Sequence, residues 1–185
     1  LVSILGSGYV EIDKWNLDVG TIYDFFGYND AEGPRVRIGA RTYFGQNDPW
    51  RLEGYTAYGF TDNKFKYGIS GKFLLDRKSR LIVSGGNRRD IEQLGVSLTA
   101  TNDVLGRSVA SSSLLTVGAN NRLTNINLSA LNFEIEPITN FRVSVGGTFR
   151  TLSSALPNDF SLEYIDPESP TGIASEIRQF DFNTL

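Results

Sequence analysis

The sequence predicts an all-β, antiparallel fold of the kind that closes into a transmembrane β-barrel, and three observations predict it. Apolar and charged residues alternate with a period of two, which places them on opposite faces of a strand. The alternating runs are about 10 or 11 residues long, matching the roughly 9–11 that a tilted strand needs to cross a bilayer rather than the usual 5–6 of soluble strands. Glycines lie on the charged faces, and Trp50, Tyr58, Phe60, Phe65 and Tyr67 stand at or near turns, where an interfacial aromatic girdle would place them.

The elements follow in order. Strand-like segments begin near positions 34, 50, 65 and 80. In the first, Pro34, Val36, Ile38, Ala40, Thr42 and Phe44 oppose Arg35, Arg37, Gly39, Arg41 and Tyr43. In the second, Leu52, Gly54, Thr56, Tyr58 and Phe60 oppose Arg51, Glu53, Tyr55, Ala57 and Gly59. The third sets Phe65, Tyr67, Ile69, Gly71, Phe73 and Leu75 against Lys66, Gly68, Ser70, Lys72 and Leu74. Short polar stretches at 45–49, 61–64 and 76–79 read as the turns that join antiparallel neighbours. A further hairpin runs from Leu131, Phe133 and Ile135, alternating with Asn132, Glu134 and Glu136, through a turn at 137–140 to a return strand over 141–150. Residues 91–125 alternate poorly and read as one or two strands with a long loop. Residues 153–172 read as a second long loop, followed by a strand near 174–182. About eight strands are visible, and no segment has a helical period.

Composition removes several classes of function. The 185 residues contain no Cys and no His, so disulfide frameworks, thiolate or imidazole metal sites and His-dependent catalytic triads are closed off. A net charge of −3 with no basic tail gives no reason to expect nucleic acid. No apolar run approaches the roughly 20 residues of a membrane-spanning helix. No enzyme activity, cofactor or metal is expected.

The charged faces carry nine cations (Arg35, Arg37, Arg41, Arg51, Lys66, Lys72, Arg80, Arg142 and Arg150) against three acids (Glu53, Glu134 and Glu136). In a barrel this set faces the lumen. Two consequences stay open: a positive wall that favours anions or an acidic plug, or pairing with acids on other strands. Two local pairs are expected as well, Glu32 with Arg35 across a turn containing Gly33, and Asp62 with Lys66 at a turn. Alternation alone also fits a soluble β-sandwich, whose apolar face would pack on a second sheet.

Asn29-Asp30-Ala31-Glu32-Gly33-Pro34-Arg35, directly before a strand, resembles the Asn-x-x-Glu-Gly-x-Arg signature of a Bacteroidota outer-membrane β-barrel family of unknown function. Tyr58-Gly59-Phe60-Thr61-Asp62, continuing to Lys66-Tyr67, resembles the same family's Tyr-Gly-x-x-Asp…Lys-Tyr hairpin. The likeness continues more weakly through Asp90 and from Leu123 to Leu152. The resemblance implies a bacterial outer-membrane location, with an N-terminal carboxypeptidase-regulatory-like domain and closing strands outside residues 1–185. The chain is therefore expected to be a piece of one barrel domain. The expected role is a scaffold, accessory or assembly subunit that meets outer-membrane lipid and other outer-membrane or periplasmic proteins. The alternatives are a channel or receptor barrel for an anionic solute and a soluble binding module.

Overall fold

The computed structural model describes residues 8–20, 22–42, 49–93, 115–116, 122–158, 160–165 and 173–184. The protein is all-β, and its strands are β1 (Tyr9–Ile12), β2 (Leu17–Gly20), β3 (Phe26–Asn29), β4 (Gly33–Thr42), β5 (Trp50–Gly59), β6 (Lys64–Asp76), β7 (Leu81–Gln93), β8 (Leu115–Thr116), β9 (Leu123–Ile138), β10 (Phe141–Ser154), β11 (Tyr164–Ile165), β12 (Ile173–Ala174) and β13 (Glu176–Thr184). The only helical pieces among the described residues are single 3₁₀ turns at Asp13–Trp15 and Ile22–Asp24.

One sheet contains nearly all of this, in the order β1-β2-β4-β5-β6-β7-β9-β10-β13. Every neighbour on that path pairs antiparallel. Together, β2 and β3 fill one position beside β4, with β2 pairing Ala40–Thr42 and β3 pairing Gly33–Val36. The 3₁₀ turn between them is stitched back by Arg37 N–H donating to the Phe25 carbonyl at 2.8 Å. β8 adds a two-residue parallel pair to β3. The described residues thus give nine positions across the sheet, where the sequence suggested about eight. Seven of the expected strands are β4, β5, β6, β7, β9, β10 and β13, the one or two expected within 91–125 take no position of their own on this path among the described residues, and β1 and β2/β3, whose runs are too short and interrupted to show a period of two, add two. Among the described residues the sheet is open, with β1 and β13 at its edges.

Sequence boundaries hold best in the middle of the sheet and worst at one end. β6, β7, β9 and β10 span 13, 13, 16 and 14 residues, so they outrun the alternating segments. The surplus in β7, β9 and β10 lies toward the long connections at 94–122 and 155–175. There the outward positions turn polar: Asn87, Arg89, Asn125, Asn127, Thr151 and Ser153. With apolar and polar residues no longer segregated by face, alternation cannot be read. Phe44 and Tyr43, expected at the end of the first strand, lie outside the described residues, as does most of 94–121.

Register assigns the faces. Arg41, Glu53, Ser70, Gly86, Ala130, Thr148 and Asp181 form one row across seven strands. Trp50, Phe73, Val83, Phe133 and Val145 form a row on the other face. The polar face is buried toward the long connections, where Glu32 is 0% exposed and Arg35 and Lys66 are each 3% exposed, while Arg51, Lys72 and Arg142 toward its other end are exposed. The apolar face is open, with Phe65 at 72%, Phe180 at 69% and Ile69 at 56%. Two small apolar clusters sit near the long connections. Ile126, Leu128, Leu152 and Leu162 pack with Phe160 and Ile177, and Ala31, Ile91 and Leu123 pack with Ala155 and Leu156.

Two turns dock on each other at that same end. Thr61 N–H donates to the Glu32 carbonyl at 2.8 Å and Phe60 N–H to that of Pro34 at 3.0 Å. Gly33 makes this approach possible, because its φ of +65° lies in the left-handed region and a Cβ there would drive into the Thr61 hydroxyl. Gly33→Ala is therefore expected to lower unfolding stability by about 1–3 kcal/mol. Gly147→Ala, whose Cβ would meet only ordinary contact with the Phe180 ring, should change it by less than about 0.5 kcal/mol. Equilibrium unfolding of the two variants side by side checks this; equal losses would refute the backbone explanation.

Candidate functional site

The docked turns deliver their side chains to the buried face, and a network forms around Glu32. Its turn is built by Asn29, whose Oδ1 accepts from Ala31 N–H at 3.2 Å and Glu32 N–H at 2.9 Å, while its Nδ2 donates to Glu32 Oε2 at 2.6 Å. The same Oε2 accepts from Arg35 Nη1 at 3.0 Å, and Oε1 lies 2.7 Å from Lys66 Nζ. Lys66 also reaches Asp62 Oδ2 at 2.5 Å. One carboxylate thus ties the turn before β4 to the turn before β6.

Arg35 extends the network across the sheet. Its Nη1 and Nη2 hold Asp90 of β7 in a two-pronged pair at 2.8 and 3.0 Å, the geometry that makes Arg–carboxylate pairs directional. Asp90 Oδ2 accepts from the Tyr55 hydroxyl at 2.5 Å and Oδ1 from Ile91 N–H at 2.8 Å. The Arg37 guanidinium stacks 3.7 Å over the Tyr55 ring centroid. On either side of Asp90 along β7, Arg88 and Glu92 form their own buried pair. Arg35, Arg37, Lys66 and Arg88 thereby share the site with Glu32, Asp62, Asp90 and Glu92, and charges balance in a place where an unbalanced one would be costly.

Of the residues with a family-like signature, seven meet here: Asn29, Glu32, Gly33, Arg35, Gly59, Asp62 and Lys66. A Cβ on Gly59 would press on Asp62 Oδ1, on Glu32 Cβ at 2.9 Å and on Lys66 Nζ at 2.9 Å, so this position must be bare for the network to close. Tyr58 and Tyr67 point the other way, onto the apolar face. There the Tyr58 hydroxyl donates to Asn63 Oδ1 at 3.1 Å and its ring meets Phe60 at 5.3 Å and Phe65 at 4.8 Å. Sequence reasoning did not place Asp90, Tyr55, Arg88 or Glu92 in a site. The signal was present in Arg88-x-Asp90-x-Glu92, three charges at a spacing of two on one strand face.

Apart from Arg37, the remaining residues of the charged face lie on the face of the network without joining it. Arg41 Nε meets Asp18 at 2.9 Å, Arg150 meets Asp181 at 2.5 Å, Arg142 meets Glu134 at 3.1 Å, and Arg80 meets Glu136 at 2.9 Å. Arg37 has Asp24 at 3.9 Å. Glu53 accepts from Ser70 Oγ at 3.3 Å. Seven of the nine wall cations therefore have carboxylate partners, three of them, Arg35, Arg41 and Arg150, with Asp90, Asp18 and Asp181 on strands whose acids the alternation did not single out. Arg51 and Lys72 are the two without one among the described residues.

Each carboxylate of the network is paired with a cation, so the network can lock the two turns to the sheet. Among the described residues no grouping of three or more His, Cys, Asp or Glu is arranged to hold a metal ion. No family model, curated protein or solved structure matches this chain.

Glu32→Gln keeps the shape and removes the charge that Arg35 and Lys66 share. It should cost about 3–5 kcal/mol of unfolding stability, the loss typical of breaking a buried pair. Asp62→Asn, at the rim of the network, should cost clearly less. Chemical unfolding of both variants reads the difference, and a Glu32→Gln protein within about 0.5 kcal/mol of the parent would show that the network is not a lock.

Proposed function

We propose that this chain forms part of a bacterial outer-membrane β-barrel that serves, without catalysis, as a scaffold, accessory or assembly subunit of a membrane complex. One observation carries the reading: an open apolar belt backs a charged face whose ion pairs are buried toward the long connections. Ile38, Leu52, Trp50, Tyr67, Ile69, Phe73, Leu131, Phe133, Val145, Phe149, Phe180 and Phe182 are all exposed on one side, running from β4 to β13. Fully burying such side chains is worth about 1.5–3 kcal/mol each, so a belt this wide is costly in water and favourable in hydrocarbon. Polar groups and ion pairs on the opposite face fit a barrel interior. The resemblance of the Asn29–Arg35 and Tyr58–Tyr67 stretches to an outer-membrane barrel family supports the same location.

Strand direction adds a constraint on closure. The nine positions alternate up and down, so β1 and β13 run the same way. Direct pairing of the two edges would be parallel, and an antiparallel barrel needs an odd number of additional strands between them, which gives an even total. Lipid and neighbouring outer-membrane or periplasmic proteins are the partners this reading implies. A conducting or anion-receiving barrel is second to it, because seven wall cations are neutralised by carboxylates.

Fractionation of cells expressing the protein tests the reading. It should stay with outer membranes through high salt and alkaline carbonate and be released only by detergent. Release by carbonate alone would overturn the membrane assignment in favour of a soluble sheet whose belt is covered by another protein layer.

A further inference from the structure

We infer that Arg51 and Lys72 form a binding site for a small oxyanion on the charged face of the sheet. They are cross-strand partners in the β5–β6 register, directly opposite one another. Both are exposed, and neither has a carboxylate partner among the described residues. Like charges directly opposed on adjacent strands destabilise a sheet. The other cations singled out on this side, Arg35, Arg37, Arg41, Lys66, Arg142 and Arg150 on strands and Arg80 in the turn before β7, each have an acid within ion-pair distance. A wall that pairs its cations so consistently, and leaves two unpaired side by side, has the charge of an anion site at that place.

The surroundings agree. Continuing the row from Lys72, Ser84 and then Asn132 stand on the same face, offering a hydroxyl and an amide beside the cations. Glycines at 86 and 146 and the small Ser70 keep this stretch of wall low. Of the acids one step along these strands on the same face, Glu134 pairs with Arg142 and Glu53 accepts from the Ser70 hydroxyl. A compact anion with several acceptor oxygens, such as phosphate, sulfate or the carboxylate of a solute, can bridge the guanidinium fork and the ammonium at once.

Inorganic phosphate is the probe, titrated calorimetrically at fixed ionic strength into the folded protein, in detergent if detergent is needed to keep it in solution. Because the site lies on the charged face, the titration is informative whether or not the apolar belt meets lipid, so its outcome stands apart from the fractionation result. Saturable binding is expected. Arg51→Gln or Lys72→Gln should weaken it about tenfold or more, the usual effect of losing a charge-assisted hydrogen bond. Arg80→Gln, an exposed cation with a carboxylate partner, should leave it within about twofold. Lys72→Glu should abolish binding and raise Tm by replacing repulsion with an ion pair, which separates loss of the site from loss of the fold. Absence of saturable phosphate binding by the parent protein, or an equal loss in Arg80→Gln, overturns the proposal.

Discussion

Ion pairs that cross from one strand to another on the buried face set the register on which everything else here depends. Side chains alternate with period two, so a slip of one residue would exchange the two faces of a strand. Arg35 with Asp90, Arg41 with Asp18, Lys66 with Glu32 and Arg150 with Asp181 all join residues distant in sequence, and none survives such a slip. Hydrophobic packing cannot play that part across most of this sheet, because its apolar face is open and its apolar clusters are confined to one end. Buried ion pairs contribute little net stability compared with apolar contacts of the same volume, but a mispaired one is severely penalised. Their value in this molecule is selection among registers.

The Glu32 network concentrates that effect where the chain most needs it. Long connections leave β7 and β10 at this end, so the β7–β9 and β10–β13 pairs are not held by tight hairpins as β3–β4 and β5–β6 are. Asn29, Glu32, Arg35, Asp62, Lys66 and Asp90 bind two turns and four strands into one unit instead. The opposite end is closed by short turns. There Asp76 accepts hydrogen bonds from the Ser79 hydroxyl and from Lys78 and Ser79 N–H, which holds its carboxyl below the ordinary range, the hydroxyl contributing most.

How much of this was legible in the sequence follows from what alternation can carry. From Arg35 to Leu75 the strands and both of their faces could be read directly, because apolar and charged residues separate cleanly there. The pairs Glu32–Arg35 and Asp62–Lys66 were visible as neighbours in sequence. Their fusion through Glu32 was not, since it depends on two turns docking in space and on the bare positions at Gly33 and Gly59. Asp90, Asp18 and Asp181 were passed over because their strands are short, interrupted or polar on both faces near the long connections. Those three acids halve the excess of cations counted on the wall.

Sidedness is the central claim, and it concerns which solvent each face of a strand meets. β6 offers the longest uninterrupted test. Nitroxide labels placed singly at positions 65 to 73, in the protein reconstituted in lipid, report collisions with oxygen, which concentrates in hydrocarbon, and with a water-soluble nickel complex. Collision with oxygen should peak at 65, 67, 69, 71 and 73 and fall at 66, 68, 70 and 72, with the nickel signal no higher at the first set than at the second. The reverse phase, or an outer set that collides only with the aqueous reagent, would contradict a lipid-facing belt.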